Sequence, residues 1–233
     1  MAKDMETVVV TGANRGIGLE LGKRYLESGH RVIAGCRNPA AAAELKALTT
    51  SGDLTTLSLD VLSHHSMERF AADIGSLGVD ILINNAGVMG GDRQSVDDID
   101  YQAWLETFQV NTLAPMKVAT LLKRNLMQSA SPRVVTVSSQ MGALSRKSRG
   151  SFAYRSSKAA VNKVMQVLAL EWEADGIVCC PVHPGWVRTD MGGGPGADIS
   201  VAESASGIID LVARLTSADS GQFFSWDGSV HAW

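Results

Sequence analysis

The chain has 233 residues, 45% of them hydrophobic, with 21 Lys and Arg against 24 Asp and Glu and a formal net charge of -3. That length supports one sizeable core and would cramp two, so a single domain over residues 1–233 is expected. Near-balanced charge excludes a broad nucleic-acid footprint, and no run reaches the ~20 apolar residues of a membrane span, so a small-molecule partner is expected, with neither nucleic acid nor membrane.

In chain order, "MAKDMETVVVTG" passes into a strand-like run without the apolar segment of a secretory signal, which predicts a cytoplasmic protein. The strand-like "ETVVVT" precedes a helical pattern from Ile17 to Glu27, and "RVIAGC" precedes one from Ala40 to Leu48. Next come "LTTLSLD", a helix from Met67 to Ile74, and "DILINNAG". The second half continues with a long helical region from Tyr101 to Leu126, "RVVTVSS", a helix from Ser151 to Trp172, and "IVCCPVHPG". A helix from Val201 to Leu215 then leads to "GQFFSWDG". This alternation predicts an α/β fold: a single doubly wound Rossmann-type domain of about seven parallel strands, with helices on both faces and right-handed crossovers.

Cys36, Cys179 and Cys180 are odd in number, and two are adjacent in a strand, so no disulfide framework is expected. Only "HHSME" brings His and Glu within one helical turn, at His64 to Glu68, and two ligands on a solvated face make no metal site. The Gly-rich "MGGGPGADIS", Met191 to Ser200, follows a strand end, where ligands bind in open parallel sheets. It reads either as a mobile lid or as a loop whose glycines only satisfy turn geometry.

The first strand runs into "TGANRGIG", Thr11 to Gly18, directly before a helix. Such a turn lets backbone approach a pyrophosphate, whose charge the helix N-terminus meets. Gly12, Asn14, Arg15, Gly16, Ile17 and Gly18 are therefore candidates for cofactor binding, although the spacing is TGxxxGxG rather than GxGxxG. At the end of the second strand, "AGCRN" offers Arg37 where an NAD-type site would carry an acid. Arg37 with Arg15 could clamp a 2′-phosphate, so NADP (NADPH) is expected and NAD disfavoured.

Tyr154 and Lys158 are spaced to share a helix face, with side chains about 6 Å apart. A nearby cation should lower the phenol's pKa and make it a workable proton donor or acceptor. Ser138 and Ser139 end one strand and "NNAG" ends another at the same sheet edge, so these motifs converge on one cleft.

With these motifs in this order, the chain resembles the short-chain dehydrogenase/reductase family: "TGANRGIG", "NNAG", Asn111 in "VNT", "SS", "YRSSK" and "HPGWVRTDM" match over essentially its whole length. The resemblance implies a catalytic set of Asn111, Ser139, Tyr154 and Lys158. Tyr154 would protonate a carbonyl and Ser139 would bond the substrate oxygen. Lys158 would hold the nicotinamide ribose and tune Tyr154, and Asn111 would support a water-linked proton path behind Lys158. It also implies that Asp60 and Val61 meet the adenine, that Asn85, Ala86 and Gly87 line the adenosine, and that Pro184, Gly185, Val187 and Thr189 flank the nicotinamide. Ser138 reads as a hydroxyl capping the strand end.

"HPGWVRTDMGGGPGA" and "GQFFSWDGSVHAW" are similar to the branch of C-factor-type proteins and Sniffer-like carbonyl reductases. A slightly long Ser139–Tyr154 segment and a short lid after Met191 leave the substrate pocket's shape open. The resemblance thus implies an NADP(H)-dependent oxidoreductase interconverting the carbonyl and alcohol of a small aldehyde or ketone. A 3-oxoacyl thioester reductase, given Arg146, Lys147 and Arg149, and a nucleotide-binding signalling protein are the alternatives. It further implies a homodimer or homotetramer paired through the helices over Tyr101–Leu126 and Ser151–Trp172, whose apolar faces could equally be core. The tail "WDGSVHAW" could cover the pocket or a subunit contact.

Overall fold

β-branched and apolar runs form the strands, and the segments between them supply the covering helices. The computed structural model describes residues 5–50 and 52–233, so the lead-in Met1 to Asp4 lies outside the described residues. In chain order the elements are β1 Thr7–Thr11, α1 Gly16–Glu27, β2 Arg31–Cys36, α2 Ala43–Ala47, β3 Leu54–Ser58, α3 His64–Ile74 and β4 Ile81–Asn84. They continue with β5 Gln94–Ser95, β6 Asp98–Ile99, α4 Tyr101–Phe108, α5 Ala114–Leu121, α6 Lys123–Leu126 and β7 Arg133–Val137. α7 Phe152–Glu171, β8 Val178–His183, α8 Val201–Arg214 and β9 Phe224–Ser225 complete the series.

Seven strands form one sheet in the order β3-β2-β1-β4-β7-β8-β9, and every pairing within it is parallel. The strand order turns back between β1 and β4, which opens a crevice at their carboxyl ends. β1, β2, β4, β7 and β8 are almost wholly buried, as strands covered on both faces must be.

Alternate residues of each strand feed two cores. On one face Val8, Val10, Val135 and Cys180 pack with Leu21 and Tyr25 of α1, Leu45 of α2, and Ile208 and Leu211 of α8. On the other, Val9, Leu82, Val134 and Cys179 pack with Phe70 of α3, Val118 of α5, and Val161 and Met165 of α7. Each fully buried aliphatic side chain contributes about 1.5–3 kcal/mol, so the two cores fix where the crevice sits. Cys36, Cys179 and Cys180 are buried free thiols.

Three segments differ from the sequence expectation. The region read as one helix from Tyr101 to Leu126 is interrupted by a π-helical segment, Gln109–Leu113. Pro115 explains the break: its ring has no N–H to donate and clashes with the carbonyl four residues back, on Asn111. The helix expected over Ala40–Leu48 is instead a 3-10 turn at Pro39–Ala41, the short α2, and a second 3-10 turn at Leu48–Thr50. The antiparallel hairpin β5–β6 was not anticipated, being only two residues per strand.

Candidate active site

The carboxyl ends of β1, β2, β4, β7 and β8 open into one cleft of about 780 Å³. At its phosphate end, Gly12 has φ +65, and a Cβ there would stand 2.9 Å from the Ala86 Cα, so the β1 and β4 loops touch at a position that requires glycine. Thr11 ties these loops, its hydroxyl accepting from the Asn85 and Ala86 amides at 3.0 Å each. Asn85 Nδ2 donates to the carbonyls of Thr11 and Gly12. Arg15 precedes α1 without capping it, and no acid occupies the first turn, so the helix N-terminus presents its amides and positive dipole to the cleft where Gly16 and Ile17 line it.

Arg37, at the end of β2, is exposed and lines the cleft, with no carboxylate on its own strand. Arg15 lines the same cleft, and its exposed Nη1 pairs with Asp190 Oδ2 at 3.3 Å, linking the glycine loop to the segment after β8. The Val187–Ile199 bridge and the Arg188 N–H to Ile199 carbonyl bond close the base of that segment.

At the other end, α7 brings Tyr154 and Lys158 into the wall, both buried. Lys158 Nζ donates to the Val137 carbonyl at 2.8 Å and lies 5.8 Å from the Tyr154 ring centroid. Burial pulls the Lys158 ammonium down to about 8. Burial also pushes the Tyr154 phenol up, partly offset by a hydrogen bond from Ser139. This corrects the sequence expectation that Lys158 lowers the phenol: desolvation dominates, and the lysine's own charged form is disfavoured.

Ser139 follows β7 and caps a 3-10 turn, Gln140–Gly142, its Oγ accepting from Met141 N at 3.1 Å. Ser138 turns away, donating to Asn162 Oδ1 on α7 at 2.5 Å, which fits a structural hydroxyl. The Gln140–Gly142 turn lies directly against the backbone of α7. A Cβ on Gly142 would meet the Lys158 carbonyl carbon at 2.6 Å and the Ala159 amide at 2.8 Å. Ser156 accepts from Trp104 Nε1, and Ser157 from Asn111 Nδ2, at 3.0 Å each.

Of the residues singled out from the sequence, Gly12, Asn14, Arg15, Gly16, Ile17, Arg37, Asp60, Val61, Asn85, Ala86, Gly87, Ser139, Tyr154, Lys158, Pro184, Gly185, Val187 and Thr189 all line this cleft. Gly18 and Asn111 stand behind its walls. A Cβ on Gly18 would meet both Asn85 Nδ2 and the Gly12 carbonyl at 2.4 Å. Asn111, in the π-helical segment, donates to the Val88 carbonyl at 2.8 Å and accepts from the Val88 amide at 2.9 Å. Its Oδ1 and Lys158 Nζ flank Gly87, at 3.3 and 3.6 Å from where a Cβ would sit.

Sequence reasoning missed two neighbours. His183 lines the cleft, and its Nδ1 is buried without a hydrogen-bond partner among the described residues. Burial, with the charges of His231 and Arg146, pulls it down to about 4, so the ring is neutral near pH 7. The strand-end position of "VHPG" was the available signal. Gln94 accepts from the Tyr154 amide at 3.3 Å, and no motif marked it.

Comparison with known proteins agrees with this fold. The short chain dehydrogenase family model matches residues 6–199. C-signal of Myxococcus xanthus is 38% identical over 168 residues, covering 72% of this chain and 100% of that protein. The NADPH-bound carbonyl reductase from chicken fatty liver superposes with a TM-score of 0.93 at 32% identity, covering 99% of this chain and 100% of that one. The carbonyl reductase Sniffer of D. melanogaster does so with a TM-score of 0.92 at 29% identity, again covering 99% and 100%. With the seven-stranded parallel sheet, the glycine turn and the Ser139, Tyr154 and Lys158 wall in one cleft, the chain belongs to the short-chain dehydrogenase/reductase family of oxidoreductases.

Proposed function

We propose that this protein is an NADPH-dependent reductase of small aldehydes and ketones, reversible to alcohol oxidation. The observation that carries the reading is the shared wall of Ser139, Tyr154 and Lys158 at one end of a cleft whose other end is a glycine turn and an uncapped helix N-terminus. The residues fit a dinucleotide: the α1 amides for its diphosphate, Arg37 for a 2′-phosphate, Asp60 and Val61 for adenine, Asn85, Ala86 and Gly87 for the adenosine side, and Pro184, Gly185, Val187 and Thr189 for the nicotinamide side. When bound, the cofactor supplies the hydride.

The chain's own residues handle the proton. Tyr154, whose phenol burial keeps protonated, gives its proton to the carbonyl oxygen as charge develops there, and takes one back in the reverse direction. The Ser139 hydroxyl donates to the same oxygen and stabilises the growing charge. Lys158, anchored on Val137, would offer its remaining protons to the ribose hydroxyls of a bound dinucleotide. Asn111 holds the Val88 backbone and Ser157 in place and stands beside Lys158 at Gly87, where it can hold a water that returns a proton to the site.

A signalling role without turnover, as the likeness to C-signal permits, would have no need of this proton-handling wall, which therefore favours the enzyme. The outer faces of α4 and α7 leave Tyr101, Leu105, Val167 and Leu170 exposed, which supports pairing of like subunits there. The test is an assay of aldehydes and ketones with NADPH and NADH in parallel. Stoichiometric NADPH consumption and alcohol formation are expected, with NADH slower. No turnover with either cofactor across the set would refute the reading.

A further inference from the structure

Between Glu106 and Glu171 the chain carries ten Lys and Arg and no Asp or Glu. Away from the cleft these cations find acids from elsewhere: Lys117 pairs with Glu68 at 3.2 Å, Lys123 with Asp175 at 2.6 Å, and Arg133 with Glu6. Arg146, Lys147 and Arg149, on the loop between the Gln140–Gly142 turn and α7, are exposed and make no ion pair among the described residues.

Arg146 is exposed and does not itself line the cleft, but it is tethered to a residue that does. Its Nη1 donates to Gln140 Oε1 at 2.5 Å, and Gln140 lines the cleft next to Ser139. The loop beneath it is tied down, with Ser145 N donating to a main-chain carboxylate oxygen of Trp233 at 2.9 Å and Arg146 N to the Ala143 carbonyl at 3.1 Å. Its charge also reaches the cleft-lining ring of His183. The acids on the cleft wall lie elsewhere: Glu44 on α2 and Asp60 after β3, beyond Arg37, and Asp190, already paired with Arg15. The cleft wall also carries the apolar side chains of Met89, Met141 and Trp186.

From this placement we infer that the rim beside Ser139 selects carbonyl compounds that carry an anionic group on an apolar body, with Arg146 as the residue that reads the anion. This rests on the carbonyl-reductase reading above. A guanidinium bonded through one nitrogen to Gln140 keeps its other donors for a carboxylate, and Lys147 and Arg149 add attraction that steers an anion to the mouth. The carboxylate docks at the rim while the apolar segment crosses the methionines and the carbonyl reaches Ser139 and Tyr154.

The test uses two matched pairs with the full chain and NADPH: 4-formylbenzoate with its methyl ester, and 9-oxononanoate with its methyl ester. The anion-to-ester ratio of kcat/KM should exceed one in at least one pair and shrink as salt is raised. Arg146→Gln should lower that ratio about tenfold, the worth of one charge-assisted hydrogen bond, and leave the ester unchanged. The triple variant R146Q/K147Q/R149Q should lower it further, and Arg146→Glu should favour the ester. Turnover of the esters with no anion preference in either pair, or a ratio unmoved by the triple variant, overturns the inference alone. No turnover of any of the four compounds overturns the reductase reading and this inference with it.

Discussion

Gly142→Ala is a single-methyl test of how the site is held together. Gly142 is buried and has no positive φ, so alanine suits its backbone and only space opposes it. The added methyl would lie 2.6 Å from the Lys158 carbonyl carbon and 2.8 Å from the Ala159 amide, both backbone atoms of α7 that cannot swing aside. Either the Gln140–Gly142 turn lifts or α7 shifts, and in both cases Ser139 moves relative to Tyr154. Overpacking of this kind costs about 1–3 kcal/mol, which for a chain of this size lowers Tm by roughly 2–12 °C. A misplacement approaching 1 Å should reduce kcat about ten- to hundredfold. NADPH affinity should fall much less than kcat, because the glycine turn and Arg37 follow β1 and β2, which β4 separates from β7. Thermal denaturation, steady-state reduction and NADPH fluorescence titration read the three quantities. A variant with wild-type Tm and kcat would refute the claim that the contact between this turn and α7 sets the Ser139–Tyr154 geometry.

Arg37→Asp should weaken NADPH by about tenfold or more and shift relative preference toward NADH, read from kcat/KM with each cofactor; an unchanged preference would mean that Arg37 does not read the phosphate. Asn111→Ala removes partners from the Val88 amide and carbonyl and from Ser157, and should cost about 2 kcal/mol or more in denaturant unfolding while lowering kcat. Lys158 gives a pH signature. Its folded pKa of about 8 lies below the usual 10.5, so between those values the unfolded chain holds the extra proton and stability rises with pH. Relative to Lys158→Met, the cofactor-free wild type should gain stability, of order 3 kcal/mol, as pH rises through that window in denaturant titrations. A flat difference would mean that Lys158 is not desolvated.

The fold was legible because each strand of the sheet core is a short run of β-branched or apolar residues, and each long helix carries an amphipathic period. β9 was found from "GQFFSWDG" although only Phe224 and Ser225 pair. Periodicity could not show where a helix changes its winding, so the π-helical segment around Asn111 was hidden in one long apolar pattern, with Pro115 the local clue. The β5–β6 hairpin was too short for alternation to mark it.

The site was legible as positions, since a family-like order of motifs assigns a sheet edge to each residue. The electrostatics were not. A spacing of four brings Tyr154 and Lys158 together, but burial decides their pKa values, and burial depends on the Gly142 turn and on β7 packing over α7. The pairing of Arg15 with Asp190, far away in sequence, follows no motif rule.

The most direct measurement is a single-turnover reaction of Tyr154→Phe preloaded with NADPH, followed at 340 nm after mixing with an aldehyde that the wild type reduces. NADPH should bind with near-wild-type affinity, because the helix N-terminus and Arg37 are untouched, while its oxidation should slow by about a thousandfold, the scale of lost general acid catalysis. Oxidation at the wild-type rate in that loaded variant would contradict Tyr154 as the proton donor and the account built on it.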